Sequence, residues 1–162
     1  MTSANDFALS YVKTIGIVNN GLNGRGFTNP YDTAISKDGR IFVLNRCDVP
    51  RRSAIRVGIL NIEEDYLGEF GYGYGEDVGQ MRLPVSMDFD CSDYLYITDE
   101  LNHRITIYDV TGVVQNSWGE FGKQEGKLNG PAGIAIDNDK NVYVVDQHNH
   151  RIQKFTSDGE FL

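Results

Sequence analysis

Four prolines, three methionines, two cysteines and a single tryptophan are all that the 162 residues hold of those types. Two cysteines cannot build the disulfide framework of a small secreted scaffold. Their surroundings, NRCDVP about Cys47 and DFDCSDY about Cys91, also lack the paired spacing of a metal site. No apolar run approaches the roughly 20 residues of a membrane-spanning helix. The opening MTSANDFALS has neither the basic start nor the apolar centre of a secretory signal. These absences predict a soluble, cytoplasmic chain without a membrane partner. Positive charge is short as well: 15 Lys and Arg stand against 23 Asp and Glu, a net charge of −8. Nucleic acid is therefore not the expected partner, because such binding rests on a surplus of cations facing phosphates. Nucleophile elbows, phosphate loops and paired-cysteine motifs are missing too.

Glycine is plentiful, at 18 residues, and so are tyrosine at 9 and phenylalanine at 8. That is the composition of short strands joined by tight turns. Residues 1–6 read as a polar tail and Phe7–Gly16 (FALSYVKTIG) as a strand closing on glycine. A Gly/Asn-rich connector follows, then strands at Tyr31–Ser36, Ile41–Leu44, Ala54–Leu60 and Tyr66–Gly71, with no helical period between them. The order repeats at Val85–Phe89, Tyr94–Thr98, Arg104–Tyr108 and Val113–Trp118. It begins a third time at Gly133–Ile136, Val142–Val145 and Arg151–Phe155. Pro30, Pro84 and Pro131 align, as do Asn45, Asp99 and Asp146, and then Ile55, Ile105 and Ile152. The surplus of the first repeat falls mainly in the loop before Ile55, where an insertion is tolerated.

A repeat of four short antiparallel strands spread over roughly 40–50 residues is a β-propeller blade. The strings GPAGIAIDNDKNVYVVDQHNHRIQKF and LPVSMDFDCSDYLYITDELNHRITIY resemble the NHL repeat, with Asn149-His150-Arg151 and Asn102-His103-Arg104 at the naming segment. The first repeat departs from it: Asn45 replaces the Asp, and the Asn-His-Arg segment gives way to the insertion. The resemblance implies an all-β propeller of four-stranded antiparallel blades, about six to a ring. It leaves function open among scaffolds, RNA binders, sensors and a few lyases.

Three blades do not close such a ring. The chain divides into a tail (1–6), an outer strand (7–16), blade 1 (17–71), blade 2 (72–118) and an incomplete blade 3 (119–162). The segment 7–16 matches a blade's fourth strand, which blade 3 lacks. The expected partner is therefore the chain itself, as a C2 homodimer closing a six-bladed ring by exchange of that strand.

The meander places the 1–2 and 3–4 turns on one face, rich in Asp. The 2–3 loops and the connectors between blades lie on the other, called the top. Asp in those turns is turn chemistry. His103 and His150 share one repeat position and take a structural role, as do the Asp99/Arg104 and Asp146/Arg151 pairs. Deviations from the repeat are the candidates: Arg46, Asp48, Arg51 and Arg52 in the inserted loop for an anionic or acidic ligand, Tyr72 and Tyr74 in the connector, and His148. The leading expectation is a noncatalytic binding or scaffold module that takes a small molecule or protein segment on the top face, without a cofactor. The alternative, implied by the resemblance, is a metal-dependent lyase or lactonase-like hydrolase holding a divalent ion in the central channel.

Overall fold

The computed structural model describes residues 10–16, 26–46, 55–71 and 73–162. Among the described residues, eleven strands form three antiparallel sheets. The first orders β1 (Pro30–Ile35), β2 (Ile41–Asn45), β3 (Arg56–Leu60) and β4 (Tyr66–Phe70) side by side. The second does the same with β5 (Pro84–Phe89), β6 (Leu95–Asp99), β7 (Arg104–Tyr108) and β8 (Val114–Trp118). The third holds β9 (Pro131–Ile136), β10 (Val142–Asp146) and β11 (Arg151–Phe155). Each sheet is a meander whose neighbours in sequence are neighbours in space, and β1, β5 and β9 come together as the innermost strands. Proline opens each innermost strand, a place where its missing N–H costs no ladder bond. Only the short 3₁₀ turn Gln147–Asn149 interrupts the strand pattern among the described residues.

The core lies between the sheets. Alternation along β2 and β3 sends Phe42, Leu44, Val57 and Ile59 toward the second sheet. They meet Met81, Met87, Leu95, Ile97 and Tyr108 there in one buried cluster. The outgoing side chains of the second sheet, Tyr96, Ile105 and Ile107, meet Leu128, Val142, Val144 and Phe155 in another. The two interfaces are built alike, down to the aromatic that ends the outermost strand. Phe70 packs on Tyr108 and Trp118 on Phe155, each pair with ring centroids 5.0 Å apart. Burying one such side chain stabilises the fold by about 1.5–3 kcal/mol, so each sheet depends on the next for its hydrophobic face.

Strand register corrects one alignment. Asn45 pairs with Arg56, Asp99 with Arg104 and Asp146 with Arg151. The counterpart of Ile105 and Ile152 is therefore Val57, not Ile55. The insertion also does not remove the arginine of the first repeat, for Arg56 holds that place. An inserted loop breaks sequence spacing, and only the ladder reveals where spacing resumes.

The Asp-rich turns behave as expected. Asp90 Oδ1 accepts N–H bonds from Ser92 and Tyr94, and Asp137 Oδ1 does so from Asp139 and Asn141. These are Asx turns, in which the side chain replaces the backbone acceptor.

Candidate functional site

The top face is built on a repeated hydrogen-bond frame. Asp99, fully buried, accepts from the N–H groups of Arg82, Leu83, Leu101 and Asn102 at 2.7–3.2 Å. One carboxylate thus ties the 2–3 loop to the connector that enters the blade. Asp146 does the same for Asn129 N–H and also pairs with Arg151 at 2.8 Å. Asn45, an amide, accepts from Thr28 N–H and returns a hydrogen bond to the Val43 carbonyl. Asn102 and Asn149 donate to Gly75 and Gly122 carbonyls 27 positions back. Arg104 donates to the carbonyls of Glu76, Asp77 and Gln80, and Arg151 to those of Gln124 and Lys127. The expected Asp99–Arg104 contact is thus replaced by arginine binding to the connector backbone. Arg56 donates to the Gly26 carbonyl and forms an ion pair with Glu69 at 3.0 Å.

What the frame leaves over differs from blade to blade. Arg46, Glu100 and Gln147 hang from equivalent backbone bonds to Asn29, Leu83 and Gly130, beside the innermost strands. Arg46 lies over the Tyr31 ring, 4.5 Å from its centroid. Glu100 stands 3.6 Å from His148 Nε2. Next to that pair, a groove of about 490 Å³ opens over the second sheet, lined by Glu76, Arg82, Leu101, His103 and Phe121 together with the frame residues Asn102 and Arg104. Phe121 is 61% exposed and its ring lies 4.8 Å from that of His103. His103 Nδ1 accepts from Gly130 N–H, so the neutral ring carries its proton on Nε2. Burial holds the His103 pKa below its ordinary value, with Asp99 opposing and Arg82 and His148 reinforcing the shift. Arg82 bonds Glu76 at 2.7 Å and also engages Tyr74.

Of the residues singled out from sequence, Arg46, Tyr74 and His148 are described, whereas Asp48, Arg51, Arg52 and Tyr72 lie outside the described residues, as does Cys47. Arg46 and His148 sit beside innermost strands of different blades; Tyr74 supports Arg82 and packs on the first core cluster. Glu100 and Phe121 were legible as loop residues only. The signal that marks them is their difference from Arg46 and Gln147, and from Tyr74, at matching repeat positions, which becomes usable once the register is known. Asp32 and Asp88, on the innermost strands, are spent on structure: Asp32 Oδ2 accepts from Ser86 Oγ and Met87 N–H, and Asp88 Oδ2 from Ile136 N–H. Burial raises the Asp88 pKa, the N–H bonds from Ile136 and Phe89 oppose this, and the Asp32 charge adds to it. Among the described residues no group of three or more His, Cys, Asp or Glu converges as a metal site.

Residues 128–155 match the model of the NHL repeat. No curated protein matches the sequence. Solved structures do match. Virginiamycin B lyase from Staphylococcus aureus, catalytically inactive and with quinupristin, aligns with a TM-score of 0.60 at 13% identity over 83% of this chain and 40% of that one. A streptogramin B lyase gives 0.54 at 16% over 84% and 54%. A gluconolactonase from Xanthomonas campestris gives 0.63 at 15% over 90% and 50%. The chain spans 40–54% of the length of these proteins, and at such identities the likeness shows the fold alone. With its repeated sheets and its repeated Asp-centred frame, the chain has the blade architecture of a β-propeller, and residues 128–155 carry an NHL repeat.

Proposed function

We propose that the protein is a noncatalytic binding module whose top-face groove holds a small molecule or protein segment carrying an acceptor group beside an apolar one. The observation that carries this reading is the groove itself. It has an open aromatic wall at Phe121, exposed Leu101, the His103 Nε2–H as a fixed donor and the Arg82 guanidinium beside it. A carboxylate or carbonyl suits the two donors, and a flat apolar group suits the wall. The Arg46–Tyr31 pair and His148 extend the polar rim around the innermost strands.

The names of the solved neighbours raise the alternative of a metal-dependent lyase or lactonase-like hydrolase at the central channel. The described innermost carboxylates Asp32 and Asp88 accept hydrogen bonds from backbone donors. Elemental analysis of the purified protein tests this: a stoichiometric divalent ion favours the enzyme. For the binding module, phenylacetate and N-acetyl-phenylalanine are suitable probes in calorimetric titration. Ligands of this size reach roughly millimolar dissociation constants. Phe121→Ala and Arg82→Ala are each expected to weaken the probe at least fivefold. Absence of binding by the unaltered protein, or equal binding by both variants, would refute the groove as the site.

A further inference from the structure

We propose that a cleft between the second and third sheets, on the face opposite the groove, binds the ammonium group of a small organic monocation. The cleft has a volume of about 280 Å³ and shares no residue with the groove. Asp90, Tyr94 and Tyr96 come from the second sheet and its first turn, Asn116 from β8, and Lys140 and Asp158 from two turns of the third sheet. Tyr96 stands at its centre. It is 2% exposed and lines the cleft, so the solvent that reaches it arrives through the cleft. Its hydroxyl has no hydrogen-bond partner among the described residues. Desolvating a hydroxyl costs free energy unless a partner replaces the water, so a buried phenol in this state is open to a ligand.

The third sheet shows the same position with its partners in place. Tyr96 pairs with Asp88 and Ile107 in the ladder, and Tyr143 holds the equivalent place against Ala135 and Lys154. The Tyr143 hydroxyl donates to Asp137 Oδ2 at 3.1 Å, and Asn141 Nδ2 donates to the same oxygen at 2.8 Å. That oxygen is fully used. In the second sheet Asp90 stands for Asp137, and its Oδ1 keeps the turn bonds from Ser92 and Tyr94. Tyr94 replaces Asn141, which removes the amide donor, and Tyr96 does not supply its hydroxyl. Among the described residues Asp90 Oδ2 meets Lys140 Nζ, at 3.7 Å, although the Asp90 side chain is only 1% exposed. Departure from the repeat leaves an acceptor and a hydroxyl unpaired in one cleft.

The lining selects a cation. Asp90 and Asp158 against Lys140 leave one negative charge in excess, with Asp158 exposed at the rim. Burial, and then the charges of Asp90 and Asp158, raise the Tyr96 pKa to about 12, so the phenol stays neutral in a negative field. An ammonium N–H donates to Asp90 Oδ2 and to the Tyr96 oxygen and balances the excess charge. Tyr94 and Ile107 offer an apolar wall to the alkyl part. A phosphate or carboxylate would meet two carboxylates. A polyol would find donors and acceptors but leave the charge unbalanced.

Titration of the full chain with n-butylammonium chloride at constant ionic strength, followed by NMR, tests the proposal. The N–H signals of Tyr94 and Lys140, and that of the Trp118 indole, which donates to the Ser157 carbonyl on the cleft wall, should move together. The expected dissociation constant is roughly millimolar. Tyr96→Phe removes the unpaired hydroxyl and installs the residue type that Phe42 supplies at this ladder place in the first sheet. It should fold, as checked by circular dichroism, and weaken the probe roughly threefold or more. Asp158→Asn, at an exposed position, should weaken it roughly twofold or more. Lys140→Gln frees Asp90 of its resident cation and should tighten the probe roughly twofold to fivefold. Neutral n-pentanol and xylitol should leave the three signals in place. Unmoved signals with the amine, unchanged affinity in Tyr96→Phe or in Asp158→Asn, weakening by Lys140→Gln, or equal movement with either neutral probe would overturn the proposal.

Discussion

Asp99→Ala tests the frame on which the top face stands. The carboxylate is buried and accepts four backbone N–H groups, two from the connector at Arg82 and Leu83 and two from its own loop at Leu101 and Asn102. A buried donor left without an acceptor costs about 1–3 kcal/mol. Water can reach the donors nearest the surface, so the expected loss is about 3–5 kcal/mol rather than the full sum. Against a domain stability of about 5–15 kcal/mol, that lowers the melting temperature by roughly 10–15 °C. Asp99→Asn keeps one acceptor but turns an N–H toward a backbone donor, and should lose about half as much. Blade 1 shows how an amide is accommodated: Asn45 accepts from Thr28 N–H and donates to the Val43 carbonyl. Asp109→Ala, which removes an Asx-turn acceptor on the opposite, exposed face, is the control at about 1 kcal/mol. Urea unfolding at fixed protein concentration, followed by the fluorescence of Trp118 against Phe155, measures all three. If Asp99→Ala costs no more than Asp109→Ala, the carboxylate does not hold the two loops together.

Gly119→Ala should destabilise by at least about 2 kcal/mol, because φ is 118° and a Cβ would sit 2.7 Å from Arg104 Cα; a neutral effect in the same unfolding assay would refute the close approach. His103 should titrate by NMR below its ordinary value of about 6.5, as burial disfavours its charged form. Its contribution to stability is complete above the unfolded pKa and falls as pH drops below it. Phe121→Ala, by admitting water, should move the titration upward, and an unshifted His103 in the unaltered protein would refute the assignment. Asp38 has its pKa lowered to about 2 by the Arg40 hydrogen bond and then by that of Ser36. Its stabilisation is present above the unfolded value near 3.9 and is lost as pH falls toward 2. Arg40→Gln should therefore reduce the drop in melting temperature between about pH 5 and pH 2.5, and an unchanged drop would count against the pairing.

Much of the fold was legible because each blade repeats its local chemistry: Asp, Asn, Ser or Thr at the turn starts, proline at the innermost strand, and alternating apolar residues between them. Such signals act over a few residues and survive without tertiary context. The recurrence of His103 beside Asn102 pointed to a structural role, and its Nδ1 does accept from Gly130 N–H, but its place in the groove lining was not legible from that recurrence. The candidate site was less so. Leu101, Arg82 and Phe121 are far apart in sequence and ordinary in their local settings. Their groove exists because Arg104 and Asn102 pull the connector onto the blade.

The sequence by itself determined three repeats, their strand order and the faces on which their loops gather, since all of these follow from periodicity and turn chemistry. Tertiary structure alone decided that Arg56, and not Ile55, resumes the repeat after an inserted loop. It also decided that Gly130, 27 positions on, sets the proton of His103, and that Lys13 lies on the 3–4 turn of the first blade. The physical reason is the same in each case. A hydrogen-bond ladder or a packed interface fixes partners by position in space, and no spacing along the chain encodes that position.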